Sequence, residues 1–172
     1  MYIDVTGDVA AAKTRSSEEI EEAIHAGVKT IGENYIQEAR DKITTLSTFP
    51  VTWHYIGHLQ SNKARYAVRM FDLIHSVDSE KLAMALNREA EKIGKIQKIL
   101  IQVNISAEKT KSGISKDLAI SLVKGISKLP NLRIKGLMTM PPYFNQPEMA
   151  RPYFVELRAL KEDIQGDPSL LD

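Results

Sequence analysis

Lys13 is the first position in this sequence with the chemistry for covalent work. It follows Val9-Ala10-Ala11-Ala12, a run of small residues, so no bulky neighbour in that run crowds its side chain. A lysine amine in a partly desolvated pocket has a lowered pKa and condenses with an aldehyde or ketone to a Schiff base. The same residue has a plainer use, in which its stem covers apolar surface while the ammonium stays in water. Position alone leaves both open.

Other polar groups recur at matching places along the chain. Glu33-Asn34, Gly57-His58, Ser76 to Asp78, Asn104 to Ser106 and Met138-Thr139 each close a short apolar run. Asn34 with Gln37 has the spacing of a helix start, where the Asn side chain caps backbone N–H groups. Ser61, Ser79 and Ser115 invite the same helix-cap reading. Glu33 suits either a pair with a cation at the mouth or a first-turn acid favoured by the helix dipole. His54 and His58 share a face if the strand runs through both, and His75 would be the third histidine of a metal set. No H-E-x-x-H or comparable spacing accompanies them, so the sequence assigns no metal. Met138 and Met140 read as core filler.

The elements needed to carry these groups alternate. Short apolar runs occupy residues 9–12, 29–32, 52–57, 72–78, 98–105 and 132–140. Segments of helical period follow them, from Ser16, then Asn34 to Leu46, Ser61 to Met70, the Leu82–Ile93 pattern, Ser115 to Lys128, and Glu148 to Ile164. Ser16 and Glu19 are spaced as a capping box, and Gly27 is the stop. Six βα units in a row predict one parallel sheet across residues 1–172. Ligands on such sheets bind beyond the carboxyl ends of the strands, where helix N-termini favour anions. No G-x-G-x-x-G follows the first run, so the dinucleotide fold lacks its fingerprint. The repeat of roughly 25 residues matches the β/α barrel, in which about 250 residues make eight units. Six are too few to close it.

Composition removes several functions. The chain has 172 residues, a formal charge of +1 and no cysteine. Disulfides, thiolate metal sites and cysteine nucleophiles are therefore excluded, and no Lys/Arg run offers a nucleic-acid footprint. No apolar window approaches membrane-spanning length. A cytoplasmic location is expected.

GENYIQEA at 32–39, WHYIGHLQSNK at 53–63, LIHSVDS at 73–79, QVNIS at 102–106 and GLMTMPP at 136–142 occur in this order. With AAAKTR around Lys13, they closely resemble the pyridoxal-phosphate homeostasis proteins, whose barrel is similar to the N-terminal domain of alanine racemase. The resemblance runs from about Val9 to the end. It implies a TIM-type (β/α)8 barrel of that racemase type, with about six units present. It also implies pyridoxal 5′-phosphate held as a Schiff base on Lys13, with Asn34 close to the cofactor ring. His58, Asn104 and Met138 lie in the same strings and are further expected contacts. The implied role is non-catalytic, buffering the cofactor and delivering it to apo-enzymes that use it. A racemase-like enzyme on the same barrel is the alternative. It would need a second base on the far face of the cofactor, usually a Tyr from another domain. A Schiff-base aldolase would more usually bring its lysine from a later strand.

The chain also departs from the pattern. Family members begin with a helix, whereas only MYIDVTGD precedes the first run here. They continue past the sixth helix with a Ser-x-Gly-Met-Ser loop and an Arg-x-Gly segment for the phosphate and pyridine nitrogen, and the sequence stops at Asp172 before either. The first and sixth strands are expected as free edges, which invite a second copy to pair. A truncated form that no longer binds the cofactor is a further expectation.

Overall fold

Strands and helices alternate along the chain as the apolar runs require. The computed structural model describes residues 7–106, 108 and 111–167, so most of MYIDVTGD, and Asp172, lie outside the described residues. β1 (Ala10–Ala11), β2 (Thr30–Glu33), β3 (Thr52–Tyr55), β4 (Leu73–Val77), β5 (Gln97–Asn104) and β7 (Leu132–Met138) run parallel in sequential order. A two-residue strand, β6 (Ile114–Ser115), adds to the carboxyl end of β5. Between the strands come α1 (Ser17–His25), α2 (Ile36–Thr45), α3 (Ala64–Met70), α4 (Glu80–Glu91) and α5 (Lys116–Ser127), and α6 (Arg151–Gln165) follows β7.

Strand order settles the architecture. Crossovers between parallel strands are right-handed, so a sheet whose order never reverses carries all its helices on one face. A doubly wound sheet needs a reversal, and this sheet has none. The arrangement is that of a β/α barrel, with β1 and β7 as free edges among the described residues.

Register divides the side chains into two rows. Ile31 aligns with Trp53, and Glu33 with Tyr55, while Ile74 aligns with Ile99. These face the helices, and all six are nearly or completely buried. The opposite row runs Ala11, Gly32, His54, Leu73, Lys98, Arg133. Ala11, Lys98 and Arg133 in it are exposed. Phe71, Leu82, Leu86 and Ile126 complete the apolar layer under the helices.

Local signals account for the helix starts. The Ser16 Oγ accepts the Glu19 N–H at 3.2 Å, and the Glu19 carboxylate accepts the Ser16 N–H at 2.8 Å. Such a cap is worth about 1 kcal/mol. Gly27 has φ +106 and ends α1, a conformation glycine adopts without strain. Ser79 caps α4 through the Leu82 N–H. Ser115 holds the cap position of α5 without a side-chain bond, and Ser61 instead opens a short 3-10 turn, Ser61–Lys63, that precedes α3. Met140 is 64% exposed, so it does not fill the core as expected.

Candidate functional site at the first strand ends

Lys13 sits in a turn just beyond β1. The Arg15 N–H donates to the Ala12 carbonyl at 3.0 Å, closing a four-residue turn in which Lys13 is the second member. Thr14, the third, has φ +64. Type II turns require a positive φ at that position and usually place glycine there. A β-branched residue in this conformation is strained and persists only where its surroundings fix it. Thr14 supplies part of that fixation, since its hydroxyl donates to the Lys13 carbonyl at 2.6 Å.

The remainder comes from α2. The Lys42 Nζ donates to the Ala12 carbonyl at 2.8 Å and to the Glu33 Oε1 at 2.7 Å, and lies 3.6 Å from the Glu38 Oε2. The same Glu38 oxygen accepts the Thr14 N–H at 3.4 Å. Glu33 is completely buried and Lys42 nearly so. Glu33 does pair with a cation, but in the buried helix-facing layer rather than at the mouth, where the sequence reading set it. Lys13 itself is exposed, and its Nζ stands 5.6 Å from the centre of the Tyr35 ring, a favourable cation–π approach. Among the described residues its amine has no hydrogen-bond or ion-pair partner.

Asn34 lies one residue past β2. Extending the pairing of Ala11 with Gly32 by two residues sets it opposite Lys13. It does not cap α2. The cap position belongs to Tyr35, without a side-chain bond, because α2 begins one turn position later than Asn34 would need. Its amide is left without a partner among the described residues. Gly57 explains how close the second and third strand ends come: a Cβ there would collide with the Asn34 carbonyl oxygen and lie 2.8 Å from its Cα.

The remaining expected residues occupy the same rim but separate places. β3 ends at Tyr55, so strand alternation does not reach His58. The His58 Nδ1 lies 3.4 Å from the Ser112 Oγ, and its carbonyl accepts the Tyr55 hydroxyl at 3.2 Å. A cavity of about 500 Å³ opens beside it, lined by Gln60, Ser61, Asp78 and Lys81 among others, and Lys13 and Asn34 are not in its wall. Asn104, the last residue of β5, donates to the Glu108 carbonyl at 2.9 Å and the Lys111 carbonyl at 3.4 Å, so its amide is used in folding the following loop. Met138 ends β7 opposite Gln102, half-buried on the face shared with Arg133.

Two residues of the opposite row meet below the rim. The His75 Nε2 and His54 Nδ1 are 3.1 Å apart. Burial, and then the neighbouring His54 ring, push His75 down to about 4. Burial also lowers His54, aided by Lys98 and opposed by Asp72. Both rings are therefore neutral at neutral pH, one donating to the other. His58 takes no part in this pair, and no group of three or more metal-ligating side chains forms among the described residues.

Lys42 had no place among the expected residues, and Glu38 and Thr14 lay in the GENYIQEA and AAAKTR strings without an expected role. Tyr35 lay within the GENYIQEA string, and only that string pointed to it. Lys42 reads as one more polar position on an amphipathic helix.

Comparison with known proteins identifies the fold and the family. Residues 10–170 match the family model described as alanine racemase, N-terminal domain. The pyridoxal phosphate homeostasis protein of Aquifex aeolicus is 40% identical over 92% of this chain and 70% of its own length. The structure of PipY from Synechococcus elongatus, solved with PLP bound, superposes with a TM-score of 0.86 at 33% identity, covering 98% of this chain and 79% of that one. An alanine racemase of Clostridium difficile superposes at 0.72 with 11% identity, covering 94% of this chain and 43% of its own, which shows the shared fold alone. The chain belongs to the alanine racemase N-terminal domain family and, within it, to the pyridoxal phosphate homeostasis proteins.

Proposed function

We propose that this protein holds pyridoxal 5′-phosphate reversibly on Lys13 and serves as a carrier of that cofactor rather than as a catalyst. The observation that carries the reading is the Lys13 amine, exposed and, among the described residues, without a hydrogen-bond or ion-pair partner, at the end of the first strand on a backbone turn fixed from both sides. The comparisons support it, since PipY binds PLP and the Aquifex aeolicus relative is named for its homeostasis.

The donor set fits the group. When bound, the cofactor supplies an aldehyde that condenses with a primary amine. Lys13 offers that amine, and the partly exposed Tyr35 ring flanks it. Asn34 offers an amide without a partner among the described residues for a polar group on the ring. Met138 and His58 would contribute an apolar and a polar contact from later strand ends, and Asn104 would act through the loop it folds.

The test is an absorbance spectrum on adding pyridoxal 5′-phosphate, followed by borohydride and peptide mass analysis. Wild type is expected to gain a near-ultraviolet to visible band and a covalent adduct on Lys13, both absent from Lys13→Ala. An adduct of equal yield in Lys13→Ala would overturn the assignment. Chiral chromatography of amino acids incubated with the loaded protein is expected to show no racemisation. Delivery to apo-enzymes that use the cofactor, pairing of two copies along the free edges of β1 and β7, and a cytoplasmic location extend the proposal. Transfer assays, sedimentation velocity and cell fractionation test them in turn. No helix among the described residues is long and apolar enough to cross a membrane.

A further inference from the structure

We infer that Lys42 is a positioning residue for Lys13, holding from α2 the turn that presents the amine. The inference rests on Lys13 being the residue that takes the cofactor. Three observations converge on it. The carbonyl before the lysine, on Ala12, accepts both the Arg15 N–H that closes the turn and the Lys42 Nζ at 2.8 Å, which uses both of its lone pairs. The amide after the lysine, on Thr14, donates to Glu38, whose carboxylate lies 3.6 Å from that same Nζ. Thr14 between them holds φ +64, a conformation that needs an external constraint.

A purely structural role for the buried pair does not account for this arrangement. Glu33 and Lys42 satisfy each other's charge at 2.7 Å, and an apolar pair of similar volume would fill the same space at comparable stability. The bond to Ala12 adds nothing to charge balance. It fixes the one backbone segment in which the reactive amine resides. β1 is an edge strand with two paired residues; the Ala12 N–H still donates to the Gly32 carbonyl at 2.8 Å, and beyond it the turn that carries Lys13 leaves the sheet. Condensation requires the Lys13 ammonium to release a proton to solvent, the amine to attack the aldehyde carbon, and the carbonyl oxygen to leave as water. A turn fixed in advance spares the ordering of the chain at that moment.

The test uses the full chain and three variants: Lys42→Met, Glu33→Gln and the double variant Glu33→Gln/Lys42→Met. The double variant leaves no unpaired buried charge, so it reads positioning without a collapse of the fold, and circular dichroism with a thermal melt checks that it is folded. Amide hydrogen exchange at Thr14 and Arg15 is measured without cofactor. The rate of borohydride-trapped adduct formation on Lys13 is measured with pyridoxal 5′-phosphate. Loss of a charge-assisted hydrogen bond is expected to speed exchange at both amides, and to slow the adduct rate, by roughly ten-fold in the double variant. Glu33→Gln keeps Lys42, with Glu38 still 3.6 Å from its Nζ, and keeps the bond to Ala12; it is expected to lose global stability but to change both rates much less than the double variant does. A folded double variant with wild-type exchange, or with faster exchange and an unchanged adduct rate, overturns the inference. A wild type that forms no Lys13 adduct removes the cofactor reading instead, and the exchange data still decide whether Lys42 holds the turn.

Discussion

Glu33 and Lys42 form an ion pair of 2.7 Å beneath the end of the first strand, with the carboxylate fully shielded from water. The second Glu33 oxygen has no hydrogen-bond partner among the described residues, so the pair balances charge without satisfying every lone pair there. Such pairs contribute little net stability when intact, yet breaking one leaves a bare buried charge. Lys42→Met alone is expected to lower the unfolding free energy by about 3–5 kcal/mol, and the Glu33→Gln/Lys42→Met double variant to recover most of it. Urea unfolding midpoints check this, and a single variant as stable as wild type would refute it.

The histidine pair gives stability a pH dependence of definite sign. His75 is lowered to about 4 in the folded chain, mainly by burial, and titrates near 6.5 when unfolded. Between these values the unfolded chain binds the proton and the folded chain does not. Stability is therefore complete above about pH 6.5, falls as pH drops toward 4, and levels off below. The loss from this ring is about 2 kcal/mol by about pH 5 and on the order of 3 kcal/mol at the low-pH plateau. His75→Phe should flatten that part of the profile. Urea midpoints at about pH 7.5 and pH 5 measure it, and a wild type equally stable at both would count against the pair.

Gly57 is required by contact rather than by torsion. A methyl group there would strike the Asn34 backbone, with no flexible side chain to yield. Gly57→Ala is expected to cost about 1–3 kcal/mol, as overpacking does, and to reduce the yield of Lys13 adduct by moving the second strand end. A variant with wild-type melting and full adduct yield would show that the rim absorbs the methyl.

Asn104 makes the opposite prediction. Its amide holds the Glu108 and Lys111 carbonyls, and its oxygen accepts the Ser106 hydroxyl at 3.1 Å. Asn104→Ala is expected to speed proteolytic cleavage in the loop that follows β5, with a stability loss of about 1–3 kcal/mol. Adduct yield at saturating cofactor should stay near wild type. A large loss of yield with an intact loop would make Asn104 a direct contact instead.

What the sequence disclosed and what it hid separate along physical lines. The alternation of short apolar runs with helical segments marked β1 to β5 and β7, because each strand has to bury at least its helix-facing row. Ser16 with Glu19 marked a helix start, because capping is a local bond between near neighbours. β6 went unseen, since Ile114 and Ser115 are too short a segment to show a period. His54 and His58 were grouped on one face on the assumption that the strand continues, and β3 stops at Tyr55. Asn34 looked like a helix cap, but α2 starts late enough to leave its amide uncommitted. Lys13 was legible as a candidate from its place after VAAA, and its assignment came from the family strings. The support beneath it was not legible. Lys42 meets the Ala12 carbonyl 30 residues away, and no pattern within a helix announces a contact at that range.

Trp53 is the chain's single tryptophan, and it is buried in the helix-facing row of β3 beside Ile31. Its emission therefore comes from one known layer of the sheet, with no second indole to blur it. In the folded chain the fluorescence should be blue-shifted, and it should move to the red only when the β2–β3 pairing is lost. A cofactor carried at the rim would absorb in the range where indole emits and would quench it by energy transfer. The protein thus supplies an optical signal that separates loading from unfolding: intensity falls with the first, and wavelength moves with the second.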